Sequence, residues 1–192
     1  MKKIITVVVV IFGLSPAALS QFSLGQPAYG GSACLSGTAS IAYLDGNISI
    51  LFDQLSAESA GQSFKKNCII RFPVSVSDGY QIRQELVHAT GFAGISAGRS
   101  GHVDVKLLTT GSTQSIPVVA QKFLGPTVQN FKLQNQLIAD GKTSWSPCGQ
   151  RNIHLTTEVT STITRRPASA PVEDNYLSLD ELRLQIQARR CK

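Results

Sequence analysis

The sequence predicts an all-β protein, an antiparallel β-sandwich of the jelly-roll or immunoglobulin-like kind, held together by two disulfides. Three observations predict it. Many short segments alternate apolar and polar residues, Gly, Pro and Asp-Gly turn signals separate these segments, and no segment carries a long helical apolar stripe. The chain also carries four cysteines, an even number typical of an exported disulfide-bonded domain.

The first twenty residues, MKKIITVVVVIFGLSPAALS, have the three parts of a secretory signal peptide. Lys2 and Lys3 form the positive start, residues 4–14 the apolar run, and residues 18–20 the small-residue cleavage site. The apolar run is shorter than the roughly 17–25 residues of a membrane-spanning helix. We therefore predict a signal peptide over residues 1–20, cleavage before Gln21, and a secreted protein, extracellular or periplasmic, without a membrane span.

The rest of the chain is predicted to hold a leader and one domain. Residues 21–33 are Gly-rich and unpatterned, which predicts a flexible leader, and residues 34–192 are predicted to form a single β-sandwich domain. Asp45-Gly46 predicts a hairpin between two short strands, and Asp78-Gly79 predicts a second turn. Between them, NCIIRFPVSVS predicts a strand in which Pro73 marks an edge or a bulge.

The middle of the chain continues the β pattern. YQIRQELVHA fits the strand and helix periods comparably and is interpreted as a strand. GHVDVKLLTT and SIPVVAQKF predict two strands joined at Gly111 and Ser112, and VQNFKLQNQLI predicts another.

The threonine-rich segment after Cys148 predicts the clearest strand. Its odd-numbered residues from Ile153 to Ile163 form one face and its even-numbered residues form the other, a period of two with one face buried. Threonine is β-branched and polar, so it suits the wet face of a pleated strand without any catalytic role. RPASAPVEDN is a predicted loop, and the alternation over residues 182–188 predicts a final strand.

The four cysteines are Cys34, Cys68, Cys148 and Cys191, and the nearest two are 34 residues apart. Metal sites favour close pairs such as C-x₂-C, so no metal is predicted and two disulfides are. Three pairings are possible, and we favour the sequential one, Cys34–Cys68 with Cys148–Cys191.

The charge pattern argues against nucleic acid as a partner. The formal net charge is +6, and removing Lys2 and Lys3 leaves +4. The basic residues occur as scattered pairs without interleaved aromatic rings, whereas a nucleic-acid groove needs clustered charge and stacking rings. The partner is otherwise unknown, with envelope or extracellular polysaccharide or protein as the predicted classes.

No residue is assigned a catalytic role. Ser96 lies in GISAG, which fits the Gly-x-Ser-x-Gly nucleophile pattern, but that pattern needs a strand–turn–helix setting and the sequence shows no βαβ rhythm. Glu85 with His88, or Asp104 with Glu158, would form an acid–base pair only if the fold brought them together. No cofactor is predicted, and the balance favours a protein that is not an enzyme.

Four residues stand out as surface candidates. His102 and Asp104 are two apart on a predicted strand and would share one face, and His154 lies on the wet face of the threonine-rich strand. Trp145 precedes Cys148 and fits either a sugar-stacking ring or a core ring packed near a disulfide.

Several separated motifs resemble one family. GGSACLSGTASIAY, SFKKNCIIRF, TGFAGISAG and WSPCGQRNIHLTTEV, followed by a terminal cysteine, occur in order. They resemble the secreted microbial domains of unknown function numbered 4360, and the four cysteines match the family's positions. The resemblance implies export, disulfides and an all-β fold, and it supplies no reaction and no catalytic residue.

The sequence as a whole predicts a non-catalytic binding or structural module at the cell envelope or outside the cell. The alternative is a secreted hydrolase that acts on envelope or host polymers. A concave site with a histidine and a carboxylate within hydrogen-bond reach would favour the hydrolase.

Overall fold

The computed structural model describes residues 21–35, 37–44, 46–59, 63–109, 116–137, 145–148, 150, 152–165 and 175–191. The predicted signal peptide, the predicted turn at Gly111 and Ser112 and residues 166–174 of the predicted loop lie outside these ranges. Every regular element in the described ranges is a β-strand. The strands are β1 (Phe22–Leu24), β2 (Ala28–Gly30), β3 (Ala39–Leu44), β4 (Asn47–Phe52), β5 (Ser56–Ser59), β6 (Phe64–Val76), β7 (Tyr80–Ile95), β8 (Arg99–Thr109), β9 (Ile116–Leu124), β10 (Thr127–Gln136), β11 (Asn152–Arg165) and β12 (Asn175–Arg190).

The strands form two antiparallel sheets. Sheet A has the order β1–β6–β11–β8–β9, with β2 also paired to β6. Sheet B has the order β10–β7–β12–β4–β3, with β5 also paired to β12. Buried apolar side chains from both sheets form one core between them. The predicted antiparallel β-sandwich with two disulfides is therefore confirmed.

β11 lies in the centre of sheet A, paired with β6 on one side and β8 on the other, and its core-facing side chains follow the predicted alternation. Ile153, Leu155, Val159 and Ile163 are at most 2% exposed, and they point into the core. Each such side chain contributes roughly 1.5–3 kcal/mol on burial. The threonines at positions 156, 162 and 164 lie on the opposite, solvent-facing side, as the period of two predicts.

The predicted hairpin joins β3 to β4. Leu44 pairs with Asn47, so the turn holds only residues 45 and 46. Gly46 has φ of +79°, a left-handed conformation that glycine adopts without strain. Its carbonyl oxygen also accepts a 2.7 Å hydrogen bond from the Ile186 amide, which fastens the hairpin to β12.

The flexible leader predicted for residues 21–33 is wrong. Phe22–Leu24 and Ala28–Gly30 are strands β1 and β2, which pair with successive parts of β6. Phe22 is 6% exposed and Ala33 is 2% exposed, so this segment also contributes to the core. Strands of three residues separated by Gly and Pro are too short to show a period in the sequence. They nevertheless pair along the edge of β6 that β11 leaves free.

Pro73 lies inside a paired strand, which corrects the predicted edge or bulge. β11 pairs along the whole of one side of β6, while β1 pairs with residues 74–76 and β2 with residues 69–71 on the other side. The Pro73 carbonyl oxygen accepts from the Gly25 amide at 2.8 Å, in the gap between β1 and β2. The missing N–H of Pro73 therefore falls where the neighbouring strand is interrupted and no ladder bond is lost.

The two disulfides join Cys34 to Cys68 and Cys148 to Cys191. The first holds the segment after β2 against the middle of β6, and Cys68 is fully buried. The second joins the segment before β11 to the end of β12. None of the described residues belongs to a helix long and apolar enough to cross a membrane.

Candidate functional site

The structure distributes the predicted surface candidates over two outer faces. His102, Asp104 and His154 project from the outer face of sheet A, on β8 and β11. Trp145 lies beside the outer face of sheet B, where it packs against Arg83 and Arg189. The four candidates therefore do not form one site.

His102 and Asp104 share a strand face, as their spacing predicts. His102 Nδ1 lies 3.4 Å from Asp104 Oδ2, and the two side chains are 46% and 29% exposed. In the register of β8 and β11, Asp104 lies opposite Thr160, and Glu158 lies opposite Lys106. Asp104 and Glu158, the suggested acid–base pair, therefore lie in neighbouring rows and not opposite each other. Among the described residues no group of three metal-ligating side chains forms around this pair.

Ser96 has a structural partner. It follows β7 in the turn that leads to β8, and both its amide and its hydroxyl donate to Asn175 Oδ1 at 2.8 Å. No strand-to-helix turn exists here, because a strand follows at Arg99. The serine joins the β7–β8 turn to the start of β12, and the nucleophile pattern has no structural basis.

A groove on the outer face of sheet B is the concave site that the sequence did not identify. It encloses about 280 Å³ and runs across β10, β7, β12 and β4. Its walls carry polar and charged side chains together with one leucine. They are Asn47, Leu86, His88, Thr90, Lys132, Glu181, Arg183 and Gln185.

Alternation within β7 and β12 places these side chains outward. In β7, Val87 and Ala89 are fully buried, so the residues between and beside them point to solvent. In β12, Leu182 and Leu184 are fully buried, which turns Arg183 outward. Register then sets Arg183 opposite His88.

Two β-bulges determine which residues reach the groove. Gln185 pairs with Leu86 and Ile186 with Gln84, so Glu85 is an extra residue that shifts the alternation of β7. This shift explains why the segment fits two periods from sequence, and it separates Glu85 from the row of His88. A second bulge at Asp180, between Leu179 and Glu181, similarly turns Glu181 to the outer face.

The carboxylate of Glu181 is held by hydrogen bonds. Glu181 Oε1 accepts from Arg183 Nε and from Ser49 Oγ, each at 2.6 Å. The bond from Arg183 lowers the pKa of Glu181 below its usual value, against the opposing effect of partial burial. Glu181 is therefore an ionised acceptor rather than a proton donor at neutral pH.

His88 lies in a field of positive charge. Partial burial lowers its pKa first, and the nearby charges of Lys132 and Arg183 lower it further, while Glu181 opposes them. Both effects disfavour the imidazolium form, so His88 presents a neutral ring to the groove. The register places Gln134 of β10 and Arg183 of β12 on either side of it.

Aromatic side chains flank the groove at one end. Phe92 and Tyr176 lie next to each other on the outer face with ring centroids 6.1 Å apart, and Tyr176 is 39% exposed. Gly94 lies opposite Tyr176, and because it carries no side chain the Phe92 ring lies over it, next to the tyrosine ring. The pair extends the polar groove into a small aromatic surface.

Trp145 flanks the groove at the opposite end, between two arginines. The guanidinium carbons of Arg83 and Arg189 lie 4.3 and 3.9 Å from the centroid of its ring. Gln187 Oε1 accepts from Nε and Nη2 of Arg83 at 3.1 and 2.8 Å. In the orientation that satisfies its neighbours, the Gln81 amide oxygen accepts from Arg189 in the same way.

The position of Trp145 corrects the interpretation as a core ring. The Ser146 amide donates to the Ile82 carbonyl at 2.8 Å, and the Ser146 hydroxyl accepts from the Ile82 amide at 3.1 Å. These bonds fix the segment 145–148 along the start of β7, where β10 does not reach. The Cys148–Cys191 disulfide closes the same region, so the indole is half-buried by arginines on the surface.

Comparison with known proteins gives a family and several distant structures. Residues 20–191 match the family described as "Domain of unknown function (DUF4360)". No curated protein matches the chain at a significant level.

Several solved structures that are remote in sequence also match the chain. They include TmCBM61 in complex with β-1,4-galactotriose, with 12% identity, 86% of this chain and 88% of that chain covered, and a TM-score of 0.29. A CBM4 structure has 12% identity, covers 81% of each chain and has a TM-score of 0.22. Accessory secretory protein 1, 2 and 3 of Streptococcus pneumoniae has 11% identity, covers 79% of this chain and 89% of that one, and has a TM-score of 0.22.

Proposed function

The chain belongs to the DUF4360 family of domains of unknown function, and we propose that it is an exported, non-catalytic module that binds an extended polysaccharide. The proposed binding surface is the outer face of sheet B. The observation that carries the proposal is the open groove of about 280 Å³, flanked by Phe92 and Tyr176 at one end and by Trp145 at the other.

The chemistry of the groove supports a sugar polymer. Asn47, Gln185, Thr90 and Arg183 supply side-chain donors and acceptors suited to hydroxyl groups, and His88 supplies a neutral ring with one donor and one acceptor. The exposed ring of Tyr176 offers an apolar face on which a pyranose ring can stack, with a polar tip. A protein partner would instead favour a more apolar central patch.

The hydrolase alternative is weaker at this site. The groove does bring a histidine and a carboxylate together, in His88 and Glu181. The described hydrogen bonds of Glu181 come from Arg183 and Ser49, and they favour its ionised form. Hydrolysis of a glycoside usually requires two carboxyl groups, one of them with a raised pKa, whereas Glu181 is the single carboxylate on the described groove wall.

Export is part of the proposal. Two disulfides suit an oxidising compartment, and the signal-like residues 1–20 give the route. Gln21, the predicted first residue of the mature chain, belongs to the described fold, since its carbonyl oxygen accepts from the Ser77 amide at 3.0 Å. Amino-terminal sequencing of protein recovered outside the cytoplasm is expected to start near Gln21, and an intact Met1 would contradict this part.

The binding proposal is tested with an array of neutral and acidic polysaccharides. Gln185→Tyr places a ring in the groove on central strand β12, and Thr162→Tyr places the same ring on central strand β11 of the opposite face. We expect the wild type and Thr162→Tyr to bind the same polymers, and Gln185→Tyr to bind them at least tenfold more weakly. Absence of binding on the array, or equal binding by both variants, would contradict the proposal.

A further inference from the structure

We propose that the groove selects an anionic polysaccharide, one whose repeating units carry carboxylate, sulfate or phosphate groups. This inference rests on the proposed function and names the class of ligand. Its basis is a row of cations along the outer face of sheet B, formed by Lys132, Arg183, Arg83 and Arg189.

On the described wall of the groove, two cations, Lys132 and Arg183, accompany one carboxylate, and Arg83 and Arg189 continue the row beyond the wall. Glu181 is the one carboxylate on the described wall of the groove, and Arg183 and Ser49 already occupy its Oε1 atom. Lys132 is exposed, and within the described chain the structure records no ion pair for it. After the Arg183–Glu181 pair is set aside, three cations remain for a ligand.

The cations follow the strands at a spacing that suits a repeating polymer. Through the register, Lys132 shares a row with Thr90 and Glu181, and Arg83 shares a row with Gln187. Cations therefore occur in the rows of β12 residues 181, 183, 187 and 189. At about 3.3 Å per residue this series spans about 26 Å, several sugar units rather than one small anion.

The two arginines at the Trp145 end are held in place before any ligand binds. The bonds from Arg83 to Gln187 use two of the five N–H groups of the guanidinium, and the indole ring covers one face of its plane. Arg189 is held in the same way by Gln81 and by the other face of the indole. Fixed guanidinium groups lose less freedom on binding an anionic group and can bind it in a bidentate manner.

The test compares two matched pairs of polymers, dextran with dextran sulfate and methyl-esterified pectin with polygalacturonate. We expect the anionic member of at least one pair to bind at least tenfold tighter at low salt, with an affinity that falls as NaCl is added. Binding of dextran sulfate alone would indicate a sulfate- or phosphate-bearing ligand, and binding of polygalacturonate alone a carboxylate-bearing one. Either result supports the inference.

Two lysine variants separate a site from general basic charge. Lys132→Gln removes an exposed cation from the groove wall and is expected to weaken binding of the anionic polymer about threefold or more. Lys122→Gln removes an exposed cation from β9 on the other sheet and is expected to leave binding unchanged. Equal losses in the two variants would overturn the inference, because attraction would then come from net charge alone.

The outcomes also separate this inference from the proposed function. If both members of a pair bind equally and Gln185→Tyr blocks both, the groove binds polysaccharide without charge selection and only the present inference fails. If no member of either pair binds and the array is also negative, both proposals fail.

Discussion

Removal of the Cys148–Cys191 disulfide tests how the Trp145 end of the groove is built. The double substitution Cys148→Ser with Cys191→Ser breaks a bridge that spans 43 residues. In the chain-entropy model such a loop contributes about 4 kcal/mol to the free energy of unfolding at 25 °C. At about 2–4 °C per kcal/mol for a domain of this size, the melting temperature is expected to fall by about 8–16 °C.

The same substitution is expected to release Trp145 from its arginines. The bridge closes the region where the segment 145–148 lies against β7 and the end of β12, and Trp145 is the single tryptophan of the sequence. Its fluorescence therefore reports on this segment alone. Below the melting transition, we expect the emission of the variant to shift to the red, because the indole loses Arg83 and Arg189 and gains water.

The other disulfide provides a matched control. Cys34→Ser with Cys68→Ser breaks a bridge spanning 34 residues, which the same model values at about 3.8 kcal/mol. The two variants should melt at similar temperatures, yet only the first should show a changed Trp145 emission in the folded state. Equal red shifts in both variants, or none in the first, would refute the role assigned to the Cys148–Cys191 bridge.

Three further predictions concern the core and the groove. Gly91→Ala adds a methyl group that meets a β12 carbonyl oxygen and an aromatic ring, so thermal unfolding should show a free energy of unfolding lower by about 1–3 kcal/mol. Gly30→Ala, where nothing lies within 4 Å, should change it little. Equal losses in the two variants would contradict the close packing at Gly91. The Thr157 hydroxyl is buried with no partner among the described groups, so Thr157→Val should raise the free energy of unfolding by about 1 kcal/mol, and a loss of stability would show that the hydroxyl is satisfied. By NMR titration, the pKa of His88 should lie below 6.5, and it should rise in Lys132→Gln because a repelling positive charge is removed. An unchanged pKa in this variant would show that the charge of Lys132 does not act on His88.

The elements that the sequence predicts well are those whose period is unbroken. In β11 and in the second half of β12 the period of two is clear enough that burial of one face could be inferred directly, although Thr160 on the predicted wet face of β11 is also buried. The Asp45-Gly46 turn was also predictable, because its residue types favour a two-residue hairpin. These elements depend on local chemistry alone.

Other features depend on neighbours that the sequence does not reveal. β1 and β2 are three residues each and are stabilised by pairing with β6, not by a pattern of their own. In β7, the extra residue Glu85 breaks the alternation, so no single period describes the strand. Pro73 is accommodated because the strand beside it is interrupted at that point.

The groove was missed for the same reason. His88, Lys132 and Arg183 lie on strands far apart in sequence, and only the order β10–β7–β12 brings them into adjacent rows. Each alone is typical of a solvated strand position. The available signal was the outward polar positions of β7 and β12, but the bulge at Asp180 hides the outward placement of Glu181.

An amide NMR titration of the folded protein with short oligosaccharides of the polymer that binds best on the array locates the binding surface directly. We expect the perturbed amides to lie on β7, β10 and β12, around Thr90, Lys132 and Arg183, and the Trp145 indole signal to move as well. Perturbations centred on β8 and β11, around His102 and Thr162, would instead place the binding surface on the opposite sheet and contradict the proposed function.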